Sequence, residues 1–594
     1  MFRRKLYLLI AVCALVISSF TGSGRAVAGP APNDPVQPPS NHAQETQIST
    51  GLTTANANTG ILSRQLLAKA QPDECFYEIG SPYPPGPPCE YGIPKVNQAY
   101  VWGLTKTGTQ LWFGTAPNVH CLVISGYLGI TTPHETDSWV CEYGSSQFSP
   151  PLPDILGDWR APQIFKYDTL SSQLTEMTPA EPLLNSTLGI RSAGTNGQVV
   201  MLAGPGLPSG LNLFAFNKDT GEYLGATNLP DYTNIRKWVN VEGVLYTGVR
   251  NLLGSGNVLR WTGDLDDPFQ FEVVGNLDSE GAELAFHEGR LFVSTWPNLQ
   301  SNPPSLAGLF MSPVVPNGGL TNAQADEWQK VWQASDYEPD PVTAATYGGG
   351  ALASFDGYLY WGTMHVPFMS GLAHINVYGT PDTQLQLLET LLRSHRAISI
   401  FRGRNIGTED AQVDLLYGEE MLPVYSVDPI SGEGVWQRLP NNMGQAPLWG
   451  SSGFGNFYNN YTWTMAVYKG QLYVGTMDWS YLFMDGLQIL VETILGNSYQ
   501  PTQAIDFPEI LDYGADLFRF SSANAPAVAE SQDGLGNYSN YGIRTMLADD
   551  GLYLGTANPM NLMTDLSDDK PEGGWELIRM AVGNGNIFLP FVSH

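Results

Sequence analysis

Apolar and polar positions along this chain fall into one short recurring pattern: Leu or Met, two mostly apolar residues that are often aromatic, then Gly or Ser. Seven copies occur, at Leu111-Trp-Phe-Gly114, Met201-Leu-Ala-Gly204, Leu245-Tyr-Thr-Gly248, Leu291-Phe-Val-Ser294, Leu359-Tyr-Trp-Gly362, Leu472-Tyr-Val-Gly475 and Leu552-Tyr-Leu-Gly555. Each follows another apolar stretch across a tight-turn pair such as Glu242-Gly243, Glu288-Gly289, Asp356-Gly357, Lys469-Gly470 or Asp550-Gly551. Such pairs supply the positive φ angles of a two-residue hairpin. The phrase is apolar on both faces, as expected of a strand covered on both sides. Outer strands are expected at Ile164–Asp168, Leu213–Phe216, Val258–Trp261, Leu309–Met311, Val424–Asp428, Leu517–Phe520 and Trp575–Ile578. The anchoring residues lie 90, 44, 46, 68, 113 and 80 positions apart, so the bare period is 44 to 46 and the excess is inserted chain. A unit that cannot bury its own apolar residues must stack on copies of itself. The pattern therefore predicts an all-β chain, a seven-bladed β-propeller with helical insertions on one face. A linear solenoid has shorter, more uniform repeats, and a pair of sandwiches would not reuse one hairpin seven times.

The phrase, with later strands such as Leu517-Phe-Arg-Phe520 and Val424-Tyr-Ser-Val-Asp428, resembles secreted bacterial kelch-like propeller proteins whose blades carry Leu-Tyr-Val-Gly-Thr. The resemblance runs from about Ile93 onward. It departs from true kelch units, whose Gly-Gly pair and spaced Tyr and Trp do not occur in order here. It implies a fold and a secreted scaffold, and it carries over no catalytic residues.

The ends set the expected compartment. Residues 1–28 join Arg3, Arg4 and Lys5 to an apolar run from Leu6 to Phe20 and end on Ala26-Val27-Ala28, the layout of a signal peptide. The run is shorter than the ~20 residues a membrane-spanning helix needs. Residues 29–73 are expected to be a flexible leader, 74–582 the propeller, and 583–594 a tail. Ile587-Phe-Leu-Pro-Phe-Val592 in that tail reads either as a sorting signal or as a last strand closing the ring.

The formal charge is −29, and removing the four basic residues of the signal leaves 24 cations against 57 anions, a net −33. So acidic a surface repels polyphosphate, which excludes nucleic acid as an expected partner. Four cysteines remain after cleavage, Cys75, Cys89, Cys121 and Cys141. Disulfides suit an exported chain. Pairing of sequence neighbours is the simplest of three connectivities, and a zinc site lacks the usual CxxC spacing.

Two insertions carry helical signals. One is expected near 380–396, with Thr380 as cap, Pro381 in the first turn and a stripe of Leu385, Leu388 and Leu392. The other, near 479–495, is apolar almost all round and stops at Gly496-Asn497. Both follow the Gly-Thr end of a repeat strand and should emerge on one face. There they either pack together as a roof or present a lid or apolar surface to a partner; burial of Leu387, Ile489 and Ile494 would favour the roof.

The residues just after each phrase share that face. Asn118, His120, Arg250, Asn251, Trp296, Asn298, His365, Asp478, Trp479 and Asn558 are therefore the candidate ligand-binding residues, with turn chemistry as the competing role of each Asn. Arg191, Arg236 and Arg544 recur at one strand position and read either as bridges between blades or as a joint anion site. No metal site and no cofactor is expected. Asp264-Leu-Asp-Asp267 and Asp549-Asp-Gly551 match no calcium loop and sit where turns belong. HExxH, GxSxG and phosphate-loop motifs do not occur. The expected function is a secreted scaffold that binds carbohydrate or protein at or outside the cell surface. The alternative is an extracellular hydrolase or lyase with a carboxylate or His site under the inserted helices, which a His and carboxylate pair in a deep pocket would favour.

Overall fold

A computed structural model describes residues 62–81, 89–145, 154–428, 430, 432, 434–496, 498–500, 507–563 and 572–582. The expected signal peptide, most of the leader and the tail lie outside these residues.

The chain is mostly β, in antiparallel sheets. Strand pairing divides it into seven four-stranded antiparallel units, six of them meanders within 98–176, 192–229, 232–277, 280–333, 347–417 and 459–531, and a seventh with three strands within 542–582. In each, the second strand is the recurring phrase, paired with its predecessor and with the third strand. The first strand of every unit lies beside the first strand of the next, and Gly542–Ala548 of the seventh lies beside Gln98–Thr107 of the first.

The seventh unit draws its fourth strand from far away in sequence. Leu62–Lys69 pairs antiparallel with Glu576–Val582, from Leu62 opposite Val582 to Lys69 opposite Glu576. This stretch falls inside the expected leader. Its Leu, Gln, Ala and Lys are helix formers, and pairing with a waiting strand edge overrides that local preference. The fourth position of the seventh unit is thus held by an N-terminal strand.

Close approach explains the glycine of the phrase. A Cβ on Gly475 would lie 2.9 Å from Cβ of Ile543 in the next unit, and Gly114, Gly362 and Gly555 meet Ile190, Thr462 and Val101 in the same way. Gly475→Val should therefore cost about 1–3 kcal/mol by overpacking, measured by urea unfolding, whereas the same change at the exposed turn residue Gly444 should strain only the turn. Four expected hairpin turns carry the left-handed first residue: Glu242, Glu288, Asp356 and Lys469 have φ of 47 to 51°. Asp550 does not.

The fifth unit differs from expectation. Its third strand is Ile400–Arg404, paired with the phrase through Phe401 and Trp361. Val424 instead belongs to an extra hairpin, Met421–Val427 with Gly434–Pro440, outside the meander.

Four helices follow phrase ends: α1 (Val119–Leu128), α2 (Met369–Tyr378), α3 (Gln384–Ser394) and α4 (Ser480–Leu495). Helix α3 begins later than expected because Thr383, not Thr380, caps it through the N–H of Gln386 at 3.3 Å. Helices α1 and α2 have no counterpart in the sequence reading. The disulfides join sequence neighbours, Cys75–Cys89 and Cys121–Cys141. Each closes a short loop and contributes on the order of 3 kcal/mol. No helix among the described residues is long and apolar enough to cross a membrane.

Candidate functional site

The residues that follow the phrases are used inward. Asn118 starts α1 in the left-handed region, and its Nδ2 donates to the Val140 carbonyl at 3.2 Å. Asn298 donates to Ser255 Oγ at 3.3 Å, and Asn558 to Ser539 Oγ and the Glu572 carbonyl, both at 2.7 Å. Arg250 lies 3.7 Å from Glu280, and Asn251 contacts Asn257 at 3.4 Å. His365 Nε2 meets Thr363 Oγ1 at 2.8 Å under the ring of Tyr347, and burial pushes its pKa well below the usual range. His120, held at about 3 by burial, stands edge-on to Trp139. His120, Trp296 and Trp479 line a narrow cavity of about 80 Å³ beneath α1. The Asp264–Asp267 and Asp549–Asp550 pairs sit in turns, the first capping its own backbone and the second accepting from Lys106. Among the described residues no group of three or more His, Cys, Asp or Glu is arranged to hold a metal.

The helices form a packed layer over this end. Leu387, Leu388 and Leu391 of α3 and Leu482, Phe483, Leu487, Leu490 and Val491 of α4 share one apolar cluster with Trp102, Trp463 and Trp479. Leu387 is fully buried, and Ile489 and Ile494 are half-buried against the same cluster. This matches the roof arrangement.

A buried acid pair anchors the start of α4. Asp478 accepts from the N–H of Ser480 at 2.7 Å, and Asn456 Nδ2 bridges Asp478 at 2.6 Å and Asp516 at 3.3 Å. Burial raises both carboxyl pKa values, and the charge of Asp478 raises Asp516 further, to about 8. A carboxyl raised in the folded state adds stability at acid pH and loses it as pH climbs, here between about 4 and 8. Asp516→Asn should flatten that decline, gaining about 2 kcal/mol on wild type between pH 4 and pH 8 in urea unfolding. A parallel decline in both proteins would refute the raised pKa of Asp516.

One solvent-open aromatic groove lies in the insertions of the fifth unit. The extra hairpin sets Tyr425 directly opposite Trp436, with ring centroids 5.0 Å apart. Cross-strand aromatic pairs of this kind stabilise a hairpin that has no other sheet to lean on. Helix α2 presents His374 and Tyr378 one turn apart toward them; Tyr378 stands 4.7 Å from Tyr425, and His374 5.0 Å from Trp436. Gln386, Glu389 and Thr390 of α3 and Asp382 before it supply a polar rim around about 270 Å³ of open volume. A Cβ at Gly434 would strike the Tyr425 hydroxyl, so glycine there keeps the ring in place.

Asp340 ties the groove together. It caps the single turn Pro341–Ala344 through the N–H of Thr343 at 2.8 Å, accepts from the N–H of Tyr425 at 2.9 Å, and faces His374 Nε2 at 3.3 Å. Burial raises its pKa, but these donors prevail and hold it at about 2. His374 Nε2 also meets Thr343 Oγ1 at 3.1 Å, while its Nδ1 is buried with no hydrogen-bond partner. Both partners therefore address one nitrogen. None of the groove residues was singled out as a site in sequence, because Tyr425 read as an ordinary outer strand and α2 had no visible period.

No protein-family model matches the chain, and no curated protein sequence matches it. Among solved structures, it is similar to the computationally designed protein Ika4, with 12% identity over 34% of this chain and 86% of that one, at a TM-score of 0.20. It is also similar to an exo-β-1,3-galactanase from Phanerochaete chrysosporium solved with β-1,3-galactotriose, with 8% identity over 69% of this chain and 80% of that one, at a TM-score of 0.28.

Proposed function

We propose that this chain is an exported seven-bladed β-propeller, closed by its N-terminal strand, that binds carbohydrate through the groove of Tyr378, Tyr425 and Trp436. The ring reading rests on seven equivalent four-stranded units whose first strands follow one another around to the start. Two disulfides and the signal-like start support an oxidising, extracellular destination.

The observation that carries the binding reading is the groove itself. Aromatic faces cover the apolar faces of sugar rings, and a rim of Gln, Glu, Asp and Thr offers hydrogen bonds to hydroxyls. It sits in chain inserted beyond the repeat, where a scaffold acquires function.

Binding is favoured over hydrolysis by the way the polar groups are engaged. In a nucleophilic relay the carboxylate orients one ring nitrogen and the nucleophile uses the other. Here Asp340 and Thr343 share Nε2 of His374, and Asp340 is already engaged by two backbone N–H groups. The acid pair Asp478 and Asp516 is sealed beneath α4.

Affinity electrophoresis through gels containing soluble polysaccharides, run beside an assay for new reducing ends, tests this reading. Retardation without product is expected. Product release from any retarding polysaccharide would overturn the binding-only reading, and migration unchanged in every gel would overturn carbohydrate binding.

A further inference from the structure

Among the described residues, Arg191, Arg236 and Arg544 form no bridge to a carboxylate. Arg236 and Arg544 form no hydrogen bond and no ion pair among the described residues, although both are more than nine-tenths buried, at 6% and 4% exposure. Arg191 donates only to the side-chain carbonyl of Asn234, at 2.6 Å. Each guanidinium lies over an indole: Arg191 5.0 Å from Trp102, Arg236 4.5 Å from Trp296 and Arg544 5.7 Å from Trp463. In a chain of net charge −29, three cations gathered without an ion pair run against the composition.

They meet between the first strands of the units. Arg191 and Arg236 line the narrow cavity under α1, and Arg236 and Arg544 line a second cavity of about 360 Å³. Leu104, Thr105, Asn240 and Leu547 also line the second cavity, near the hairpin-turn ends of their strands, so it faces away from the helices. Around it, Arg236 Nε, Arg544 Nε and Nη2, Ser192 Oγ, Trp238 Nε1 and Thr545 Oγ1 are buried with no hydrogen-bond partner. Unmade hydrogen bonds on this scale are costly, and they converge on one space. Glu283 also lines the cavity, 3.9 Å from Lys237 through one oxygen and with its Oε1 buried and without a hydrogen-bond partner; against Arg236, Arg544 and Lys237 it leaves the wall net positive.

We propose that this second cavity binds a small molecule through an anionic oxygen group, a carboxylate or an inorganic oxyanion, held by Arg236 and Arg544 with Arg191 adding charge from the adjoining chamber. Guanidinium forks match the oxygens of such groups in pairs, and stacking on indoles fixes their orientation in advance. The volume suits a ligand of a few heavy atoms up to a single sugar acid. The gathered charge works against the fold: burial and the charges of Arg236 and Arg544 pull Arg191 down to about 9, and burial, partly offset by Glu283 and reinforced by Arg236, pulls Arg544 to about 10.

That strain provides the test. Thermal unfolding is followed at constant ionic strength and neutral pH while chloride is replaced by sulfate, phosphate or succinate. Wild type should gain about 2 °C or more with at least one of them, and succinate against sulfate and phosphate tells the carboxylate source from the inorganic one. Arg236→Gln should melt higher than wild type in chloride, because a buried like charge is gone, and should not respond to the anion. Arg519→Gln, altering an arginine paired with Glu530, should keep the wild-type response. Arg544→Gln, with the same expected loss of response, serves in place of Arg236→Gln if the latter does not fold. Equal responses of wild type and Arg236→Gln, or no response of wild type to any of the three anions, would overturn the proposal. The groove stands apart from this cavity, so either outcome leaves the carbohydrate reading intact.

Discussion

Replacing Lys95 with methionine is expected to lower stability by about 3–5 kcal/mol. Lys95 is fully buried, with Glu74 at 2.7 Å, Glu142 at 3.1 Å and Asp158 all paired to its ammonium group. Arg160 closes the network by binding Glu74 and Asp158. The cluster fastens the segment that carries the Cys75–Cys89 bridge to the insertion after the first phrase. A buried ion network of this kind adds little over a well-packed apolar core, but removing one partner leaves uncompensated charge. Met fills the space of the lysine stem while three carboxylates lose their shared cation. Burial already raises Glu74 well above the ordinary carboxylate range. The deficit should therefore shrink as pH falls toward 5 and the carboxyls take up protons, and grow toward pH 8. Urea unfolding at the two pH values measures both; a loss under 1 kcal/mol at pH 8 would contradict the assignment.

Removing residues 62–69 should destabilise the protein by a similar amount, about 3–5 kcal/mol, and make unfolding less cooperative. Leu62 is buried, and Leu66 and Leu67 are half-buried. Fully burying a leucine is worth about 1.5–3 kcal/mol, so one whole and two partial burials give this range. The deletion also exposes the edge of Glu576–Val582, whose unpaired N–H and C=O groups invite pairing between chains. A shortened protein that remains monomeric and unfolds at the wild-type urea midpoint would show that the strand is not a closing element.

The contrast between these two regions explains what can be read from the chain. The phrase is visible because its strands are covered on both faces in every unit, so each copy repeats the same apolar demand. The cysteine pairs and α3, with its exposed polar side, were visible for similar reasons. Helix α1 was not, because Val119-His-Cys-Leu-Val-Ile-Ser-Gly-Tyr-Leu128 is short and buried nearly all round, with no polar face to create a period, whereas α4, apolar almost all round as well, is longer and stops at a clear Gly-Asn signal. Leu62–Lys69 was missed because its residues prefer helix and only the distant strand makes it β. In the fifth unit, Val424-Tyr-Ser-Val-Asp428 has the stronger strand pattern, yet Ile400–Arg404 holds the third position because it can reach the phrase after α3.

Site chemistry was harder to see than fold. The residues after each phrase share an end, as their spacing implies, but their side chains are taken up by turns and helix starts. Tyr378, Tyr425 and Trp436 are separated by up to one whole insertion and converge only because a hairpin and a helix, both outside the repeat, lean on Asp340. Nothing in a linear sequence marks that convergence. The arginines repeat visibly at one position, whereas their lack of acidic partners appears only in three dimensions.

The central claim, that the groove of the fifth unit binds carbohydrate, is tested most directly on a glycan array probed with wild type and with Trp436→Ala. Trp436 is half-exposed on a two-stranded hairpin, so its loss should leave the thermal midpoint within about 2 °C of wild type. Wild type should bind a defined set of glycans, and the variant should lose at least about tenfold in affinity for all of them, as removal of one stacking ring implies. Identical binding profiles for the two proteins, or no glycan bound by wild type, would contradict it.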